Sequence, residues 1–283
     1  MNDQGLVNVE RALTFEKLAR HLPDSVCNAF EPFLPPVVWC GNGRPPISNR
    51  DCLHAAIFIL ISGTPWKLMP ACFPSYKTVR KRLRRWVEQE AFRQLWSASA
   101  CRYGLVRGIN FDQLSIDGAR KPSKKGGATT GPNPTDRAKD GVKRSLLCEG
   151  RGVPLGLAVD GANRNDFKLV EATLLSIPVE RPEVRLYWQQ NMCLDKGYDY
   201  DEVRDLLRDF SYTAHIRARG EEAKAIKRAA GFKARRWVVE RTHSWMNRFR
   251  RILIRWEKKP ENYFGLLHLV CAIITIRCAG LLG

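Results

Sequence analysis

The chain has 283 residues and an ordinary globular composition, with 44% hydrophobic, 10% aromatic and 27% charged residues. This composition excludes disordered, collagen-like and disulfide-scaffold proteins, and the length allows two domains. The 47 Lys and Arg residues outnumber the 29 Asp and Glu residues, so the net charge is +18. A surplus of this size indicates a polyanionic partner, either nucleic acid or an acidic membrane surface.

The surplus of positive charge lies in two helical-looking segments. Residues 76–107 carry nine basic and two acidic residues, and residues 217–259 carry 15 and four, which together account for the whole +18. One such segment alone is usually a solvated helix face. Two of them, both interleaved with Trp and Phe in a chain that is otherwise neutral, favour binding to a phosphate backbone.

The cysteines and the apolar stretches point to a cytoplasmic protein without a membrane span. The nine cysteines are scattered and form no CxxC pair, which excludes a disulfide framework and a zinc ribbon and favours a reducing compartment. The first residues lack the basic and apolar regions of a secretory signal. The most apolar stretch, residues 264–276, is well short of the ~20 residues that span a bilayer, so we expect a buried core helix there.

The N-terminal third predicts helices. A helix is expected over residues 14–34, and after a Pro-rich break Ser48 or Asn49 can cap an apolar helix that Gly63 ends. Ser75 can cap a basic helix over residues 76–96. Two helices joined by a short break resemble a helix-turn-helix, although an amphipathic pair in a helical bundle has the same pattern.

From Ile109 onward the pattern becomes mixed. Strands alternate with helices, and the Gly/Pro/Ser/Thr-rich residues 121–143 between the first two strands predict a mobile basic loop. Strands followed by helices mixed with strands indicate a layered α/β fold. The predicted strands are 109–120, a hairpin turning at Glu149 to Gly152, 190–195 and 211–218, and the predicted helices are 166–176, 200–208, 234–257 and 261–279.

Two acids, Asp117 and Asp195, stand at predicted strand ends in LSIDGAR and MCLDKGYD. On neighbouring strands they could share a divalent ion, since carboxylate oxygens suit Mg²⁺. The alternative is that each begins a turn, as Asp-Gly and Asp-Lys-Gly often do. Asp160 and Asp166 compete for the metal role, although Asp166 is better placed to cap the helix that follows it.

A third acid, Glu240, lies in KARRWVVERTHSWMNRFRR, on the polar side of the predicted helix with Arg236, His243 and Asn247. It could simply be solvated, or paired with Arg236 at i−4. A carboxylate in so basic a segment would repel DNA phosphates, however, and a bound metal is a natural reason for its presence. His243 could orient a phosphate or a water molecule, or could have a structural role.

These motifs resemble the DDE triad of bacterial insertion-sequence transposases with a ribonuclease H-like core. The N-terminal GRPPISNRDCLHAAIFILISGTPWKLMP and the following KTVRKRLRRW also resemble the DNA-binding part of that family, so the resemblance covers nearly the whole chain. The wider C-terminal signature keeps Arg236 but departs at Lys233 and Asn247. The fold that the resemblance implies is α/β: a helical, helix-turn-helix-like DNA-binding domain over 1–107 and a ribonuclease H-like mixed-sheet catalytic domain over 108–283.

The resemblance implies metal-dependent DNA chemistry. Asp117, Asp195 and Glu240 would be the catalytic residues and would hold two Mg²⁺ ions, with Mn²⁺ as a substitute; one ion would activate water or a 3′-hydroxyl and the other would stabilise the leaving oxygen. No protein nucleophile is required, which agrees with the absence of GxSxG, HExxH and P-loop motifs. The expected partners are double-stranded DNA, as terminal inverted repeats and target DNA, and further copies of the chain in a dimer or higher oligomer; the expected location is the cytoplasm, at the nucleoid.

The implied function is a DNA transposase that binds inverted repeats at the ends of its element, cleaves there and transfers the 3′ ends to target DNA. Two alternatives remain open: a domesticated or regulatory relative that only binds DNA, and a related metal-dependent nuclease that cuts without joining. A membrane-surface role is the least favoured, because no segment has the required free apolar face. The residues expected to contact DNA are Arg80, Lys81, Arg82, Arg84, Arg85, Lys124, Lys125, Arg236, Arg241, Arg248, Arg250 and Arg251.

Overall fold

The computed structural model describes residues 24–183, 190–216 and 237–280. The chain forms two compact units, which we call the helical unit (Met1–Arg102 with Met246–Gly283) and the sheet unit (Tyr103–Trp245). The compact units do not follow the expected boundary at 107/108, because residues 246–283 group with the N-terminal helices. As functional domains, 1–107 and 108–283 stay a prediction.

The helical unit is built from a helix-rich N-terminal stretch and a C-terminal stretch. Within the described residues, helices α1 to α4 precede the first strand, and α8 and α9 follow the last one; α4 continues past Arg102 into the sheet unit. The bounds are α1 Asp24–Phe30, α2 Asn49–Ser62, α3 Tyr76–Glu88, α4 Ala91–Arg107, α8 Arg250–Leu253 and α9 Pro260–Cys278. The part of the predicted helix 14–34 that precedes Asp24 lies outside the described residues.

Helix α2 begins and ends where its capping residues predict. The Ser48 side chain accepts a hydrogen bond from the Asp51 backbone N–H at 3.0 Å, which satisfies one of the donors that every helix leaves unpaired at its start. Gly63 ends the helix in the left-handed conformation, with φ of 71°. Both capping predictions are confirmed, and almost every apolar side chain of α2 is buried.

The predicted single helix over residues 76–96 is wrong, since the chain forms two helices there. Helix α3 ends at Glu88 and α4 begins at Ala91, because Glu90 adopts a positive φ of 53° that a continuous helix does not allow. Val79, Leu83 and Trp86 form the buried stripe of α3, as their spacing predicts. The basic residues of α3 occupy the remaining faces.

Helix α9 is the apolar core helix that the sequence predicts. Its side chains from Leu266 to Ile276 are nearly all buried, and Gly265 lets it approach Val87 so closely that a Cβ at that position would collide with the valine. Among the described helices, α9 alone is long and apolar enough to cross a membrane. Most of it is buried inside the protein, which is typical of a core helix.

The sheet unit contains one mixed sheet. Strand β1 pairs antiparallel with β3 and parallel with β5, β3 pairs antiparallel with β4, and β5 pairs parallel with β6, so the order is β4-β3-β1-β5-β6. This is the ribonuclease H-like mixed sheet that the resemblance implies. The bounds are β1 Leu114–Pro122, β2 Gly131–Pro132, β3 Asp140–Glu149, β4 Pro154–Gly161, β5 Gln190–Leu194 and β6 Tyr212–Ile216, with helices α5 Val170–Leu175, α6 Asp201–Asp209 and α7 Trp237–Asn247.

One face of this sheet carries the hydrophobic core. Leu114 and Ile116 of β1 and Met192 and Leu194 of β5 point to that face, where the side chains of α5 and α6 cover them. The opposite face of β1 and β5 therefore carries the residues of odd number, among them Asp117. Because side chains alternate along β1 and β5, the core residues and the candidate site residue Asp117 lie on opposite faces of the sheet.

The predicted basic loop over residues 121–143 is partly a paired structure. Strand β1 continues to Pro122 and β3 begins at Asp140, and the short strand β2 pairs with β3 through Gly131 and Gly141. Gly141 leaves no room for a side chain against Lys121 and Ala162, so the glycines that suggested a loop instead allow strands to approach. The mobility of the remaining residues stays a prediction.

The predicted helix over residues 234–257 is also interrupted. Helix α7 ends at Asn247, Phe249 takes an extended conformation, and α8 is a separate turn of four residues. Phe249 and Ile252 are fully buried after the break, so the apolar stripe is kept although the helix is not. Residues 234–236 of the prediction lie outside the described residues.

Candidate active site

Asp117 lies within β1, and Asp195 directly follows the adjacent strand β5. Strands β1 and β5 are parallel, with Ser115 opposite Cys193, and each acid lies two residues beyond its member of that pair. Asp117 is on the face of β1 opposite the hydrophobic core, whereas the chain leaves β5 before it reaches Asp195. Each is only partly exposed. The predicted strand-end position is wrong for Asp117, because β1 continues to Pro122, and is confirmed for Asp195.

The local setting of the two acids differs. Asp117 does not begin a turn: it lies in the middle of β1 and pairs with Leu146 of β3, so the turn alternative is wrong for this residue. Asp195 does follow the end of β5, and its Oδ1 accepts a hydrogen bond of 2.7 Å from the Gly197 N–H. Asp195 thus caps a 3-10 turn at Lys196–Tyr198 in addition to any role in the site.

Glu240 lies on helix α7, which contacts β1 three residues further along. The Nε2 atom of His243, one turn further along this helix, lies 3.4 Å from the backbone oxygen of Asp117. Glu240 is exposed, whereas the preceding Val238 and Val239 are buried. Helix α7 therefore contacts the strand that carries Asp117 through His243.

His243 is buried, contrary to the expected polar face of the helix. Its side chain is 7% exposed, and burial, together with the positive charge of Arg144 and Lys121, lowers the pKa of His243 to about 3. The imidazole is accordingly neutral in the physiological range. Burial, with the nearby Arg144, also lowers the pKa of Lys121 to about 8. Helical periodicity alone does not predict this burial, because the burial of His243 depends on the strand that covers the helix.

Arg144 is a member of this neighbourhood that sequence reasoning did not identify. It lies on β3 directly opposite Ala119 of β1, and its side chain is fully buried. A buried arginine places a fixed positive charge close to the strand that carries Asp117. The signal in the sequence was the charged pair Lys143-Arg144 at the start of an otherwise apolar strand.

The two competing acids, Asp160 and Asp166, are engaged elsewhere. Asp160 pairs with Arg164 at 3.1 Å, and Asp166 pairs with the buried Lys143 at 2.9 Å. Asp166 does not cap its helix as expected; Asn165 stands at the cap position, without a side-chain hydrogen bond. Within the described ranges 24–183, 190–216 and 237–280, no three His, Cys, Asp or Glu side chains are grouped closely enough to form a ready-made metal site.

Comparison with known proteins assigns the family. Residues 111–275 match the protein family described as "Transposase DDE domain", and residues 22–96 match the family described as "Putative transposase of IS4/5 family". The chain belongs to the DDE transposase family. A curated relative of this transposase is the "Putative transposase for insertion sequence element IS402" of Burkholderia cepacia, which is 37% identical over 158 residues, covering 51% of this chain and 67% of the relative.

Solved structures of Mos1 mariner transposase complexes also align with the transposase over most of its length. The Mos1 mariner paired-end complex with Mn is 13% identical, covers 96% of this chain and 97% of that chain, and has a TM-score of 0.27. The Mos1 paired-end complex with the left transposon end has 14% identity, coverage of 96% and 92%, and a TM-score of 0.28. The family assignment rests on the sequence matches alone.

The cations of α3 in the transposase fall into two groups. Arg80, Lys81, Arg84 and Arg85 are exposed. Arg82 is half-buried, and its guanidinium donates to Asn49 Oδ1 at 2.5 Å and to the Ile47 carbonyl at 3.1 Å. Arg82 therefore connects α3 to the start of α2. We leave it out of the proposed DNA surface, because its donors serve the protein itself.

The C-terminal cations of the transposase divide in the same way. Arg248 and Arg250 are exposed, as are Lys124 and Lys125 in the sheet unit, whereas Arg251 is buried in an ion pair of 2.6 Å with Glu257. The Arg251 guanidinium also lies over the Trp66 ring, at 5.6 Å from its centroid. We leave Arg251 out of the proposed DNA surface for this reason. Arg236 lies outside the described residues.

Proposed function

We propose that this transposase binds the inverted repeats at the ends of its own element, cleaves the DNA there and transfers the 3′ ends to target DNA, using Asp117, Asp195 and Glu240. Two observations support the proposal: Asp195 follows the end of the strand that pairs in parallel with the strand of Asp117, and the helix that carries Glu240 contacts the backbone of Asp117 through His243. The remaining acids of the sheet that competed for this role are in ion pairs.

The donor set fits a divalent cation. All three groups are carboxylates, which are the ligands that Mg²⁺ and Mn²⁺ prefer, and each of them is at least partly exposed to solvent. Two Mg²⁺ ions held by Asp117, Asp195 and Glu240 would supply activation of a water molecule or 3′-hydroxyl and stabilisation of the leaving oxygen. The Glu240 side chain is exposed, so solvent and ions can approach it.

The chain's own residues have positioning and electrostatic roles in this proposal. The neutral His243 supports the strand beneath Asp117 without adding a charge beside it. Arg144 and Lys121 bring positive charge to the same region, which favours the approach of a phosphate. No side chain has to act as a nucleophile, because water or a DNA hydroxyl attacks the phosphorus.

DNA binding is assigned to the exposed cations. Arg80, Lys81, Arg84 and Arg85 lie on one helix of the helical unit, and Lys124, Lys125, Arg248 and Arg250 are likewise exposed. Arginine and lysine at exposed positions bind phosphates and release condensed counterions, so binding should weaken steeply with salt. We further propose that the transposase acts at the nucleoid in the cytoplasm, as a dimer or higher oligomer on DNA that brings two element ends together.

The decisive experiment compares the parent protein with Asp117→Asn on a labelled duplex that contains the DNA flanking its reading frame. The variant should keep DNA binding in the absence of metal but lose end cleavage and strand transfer by orders of magnitude with Mg²⁺ or Mn²⁺. Asp205→Asn is the matched control. Asp205 lies on the surface in a 2.8 Å ion pair with Arg208, so the Asp205→Asn variant should cleave DNA normally.

Two results would favour the alternatives. A parent protein that binds the element ends but never cuts them with either metal is a binding-only relative. A parent protein that cuts without joining the 3′ ends to target DNA is a nuclease. If Asp117→Asn cleaves as fast as the parent, Asp117 has no part in the chemistry.

A further inference from the structure

The three residues that follow Glu240 attach helix α7 to strand β1 and to the turn between β3 and β4. Arg241 Nη2 donates to the Arg151 carbonyl at 2.6 Å, and Thr242 Oγ1 donates to the Gly152 carbonyl at 2.7 Å. His243 reaches the Asp117 carbonyl on β1. Consecutive residues on one helix thus make side-chain contacts with backbone oxygens on both sides of it. The helix that carries the third acid is located by these contacts.

Two of the three contacts are made with the turn between β3 and β4, residues Glu149–Gly152, which we call the docking turn. Gly152 has a φ of +89°, which favours glycine, and a Cβ on it would lie 2.9 Å from Thr242 Oγ1 and 3.1 Å from Arg241 Nη2. Only a residue without a side chain allows the helix to come so close. Thr242 itself is fully buried at this contact.

The docking turn is rigid because a buried carboxylate organises it. Glu149 is 0% exposed, and its carboxylate accepts hydrogen bonds from the backbone N–H groups of Arg151 at 2.8 Å and Val153 at 3.3 Å. Arg151 in turn donates to the Arg107 carbonyl at 2.9 Å. The Glu149 carboxylate and the Arg151–Arg107 hydrogen bond therefore both restrain the turn, and its carbonyl groups accept the hydrogen bonds from helix α7.

Aromatic stacking adds a third restraint on the same helix. The Arg241 guanidinium lies 4.4 Å from the ring centroid of Trp237 and 4.8 Å from that of Trp245, one turn away on either side. Cation–π contacts of this kind restrict the guanidinium to one orientation. Arg241, expected to contact DNA, instead points its donor into the docking turn.

We infer that Thr242 and Arg241 are positioning residues, which fix Glu240 relative to Asp117 by binding helix α7 to the docking turn. The inference rests on the proposed role of the three acids. A carboxylate on a helix that is held in place loses less freedom on binding a cation. Groups that hydrogen-bond directly to metal ligands typically contribute about 10–100-fold to metal affinity, and Thr242 and Arg241 act one step further away, so we expect an effect near the lower end of that range. Removing the Thr242 hydroxyl should therefore weaken binding of the metal itself, before any DNA is present.

The test compares Thr242→Val, which keeps the shape but removes the hydroxyl, with Thr242→Ser, which keeps the hydroxyl. Mn²⁺ binding to the full chain is followed by the electron paramagnetic resonance of free Mn²⁺, and the thermal midpoint is measured without metal. We expect Thr242→Val to bind Mn²⁺ at least about tenfold more weakly, and Thr242→Ser to match the parent. A purely structural role would lower the thermal midpoint of Thr242→Val but leave the Mn²⁺ affinity of the folded protein unchanged, which would overturn the inference.

Arg241→Ala provides a second variant, at a more accessible position, should Thr242→Val fold poorly. It should also weaken Mn²⁺ binding, with metal-free DNA affinity close to that of the parent; a large decrease in metal-free DNA affinity with normal Mn²⁺ binding would mean that Arg241 contacts DNA instead. Asp117→Asn separates the two proposals. If it does not weaken Mn²⁺ binding, the proposed site fails; if it does while both docking variants bind normally, only the positioning role fails.

Discussion

Asp166 lies across from Gly118 in the middle of β1, with its Oδ1 in the space that a Cβ on Gly118 would fill. The same carboxylate pairs with the buried Lys143 through its other oxygen. Asp117 and Gly118 point to opposite faces of the sheet, so this pair is separate from the candidate site. Gly118 is therefore in the strand because a neighbour occupies its side-chain position, and not because the chain turns there.

Gly118→Ala should destabilise the transposase by about 1–3 kcal/mol, because the new methyl group meets a carboxylate that is held by Lys143. Urea unfolding measures this decrease in stability. In an Asp166→Ala background the same change should cost clearly less, and equal costs in the two backgrounds would contradict the contact. Gly104→Ala is the control: it lies in α4, its Cβ would have ordinary contacts at 3.4 Å from Ile109, and it should stabilise by up to about 1 kcal/mol.

Arg82 and its neighbours on α3 should respond differently to neutralisation. Changing Arg84 and Arg85 to Gln should reduce the salt dependence of DNA binding by about one unit of slope for each phosphate that is no longer bound. Arg82→Gln should leave that slope unchanged and instead lower the thermal midpoint, because Asn49 and Ile47 lose their donor. Binding titrations over a range of salt concentrations, with melting curves, distinguish the two outcomes. A reduced salt-dependence slope for Arg82→Gln would show that Arg82 contacts DNA.

The buried pair of Arg251 and Glu257 gives a prediction about stability. Glu257→Gln should destabilise the protein by about 3–5 kcal/mol, since it leaves the buried Arg251 charge without its partner. The double variant Arg251→Met with Glu257→Leu should be more stable than the single one, because no buried charge remains. Chemical denaturation checks the order of the two variants. A double variant less stable than Glu257→Gln would show that the ion pair itself is strongly favourable.

His268 should make the protein less stable in acid. Burial, with Arg93 nearby, lowers the pKa of His268 to about 4 from an ordinary value of 6.5. The unfolded chain therefore takes up a proton first, so the stability present above pH 6.5 is lost as the pH falls toward 4, by up to about 3 kcal/mol. Urea unfolding at several pH values should show a smaller decline for His268→Gln. An equal decline in both proteins would assign the acid sensitivity to other groups.

Local signals in the sequence predicted local structure well. Ser48 and Gly63 set the ends of α2 through contacts within a few residues, and the spacing of Val79, Leu83 and Trp86 indicated the buried side of α3. No glycine or proline near Glu90 predicts the break between α3 and α4. Glu90 takes a positive φ of 53°, a conformation that its residue type does not predict.

The candidate site shows the same division between local and distant causes. Strand-end patterns identified Asp117 and Asp195, but the pairing of β1 with β5 depends on a parallel register between segments far apart in the chain. Helical periodicity placed His243 on a polar side, and only the strand that covers α7 makes that side buried. Arg82 and Arg84 are indistinguishable by pattern, since exposure at neighbouring positions is decided by what packs against the helix.

The helical unit is assembled from two stretches of chain that the whole sheet unit separates. Helix α3 leaves the ribosome long before α9, so Val87 cannot pack against Gly265 until every residue between them has been synthesised. At roughly 5–20 residues per second this interval is about 10–35 s, during which α2 can already pack against α3 but the part of α3 that contacts α9 stays uncovered. The newly made chain therefore exposes this apolar surface until its last residues have been synthesised.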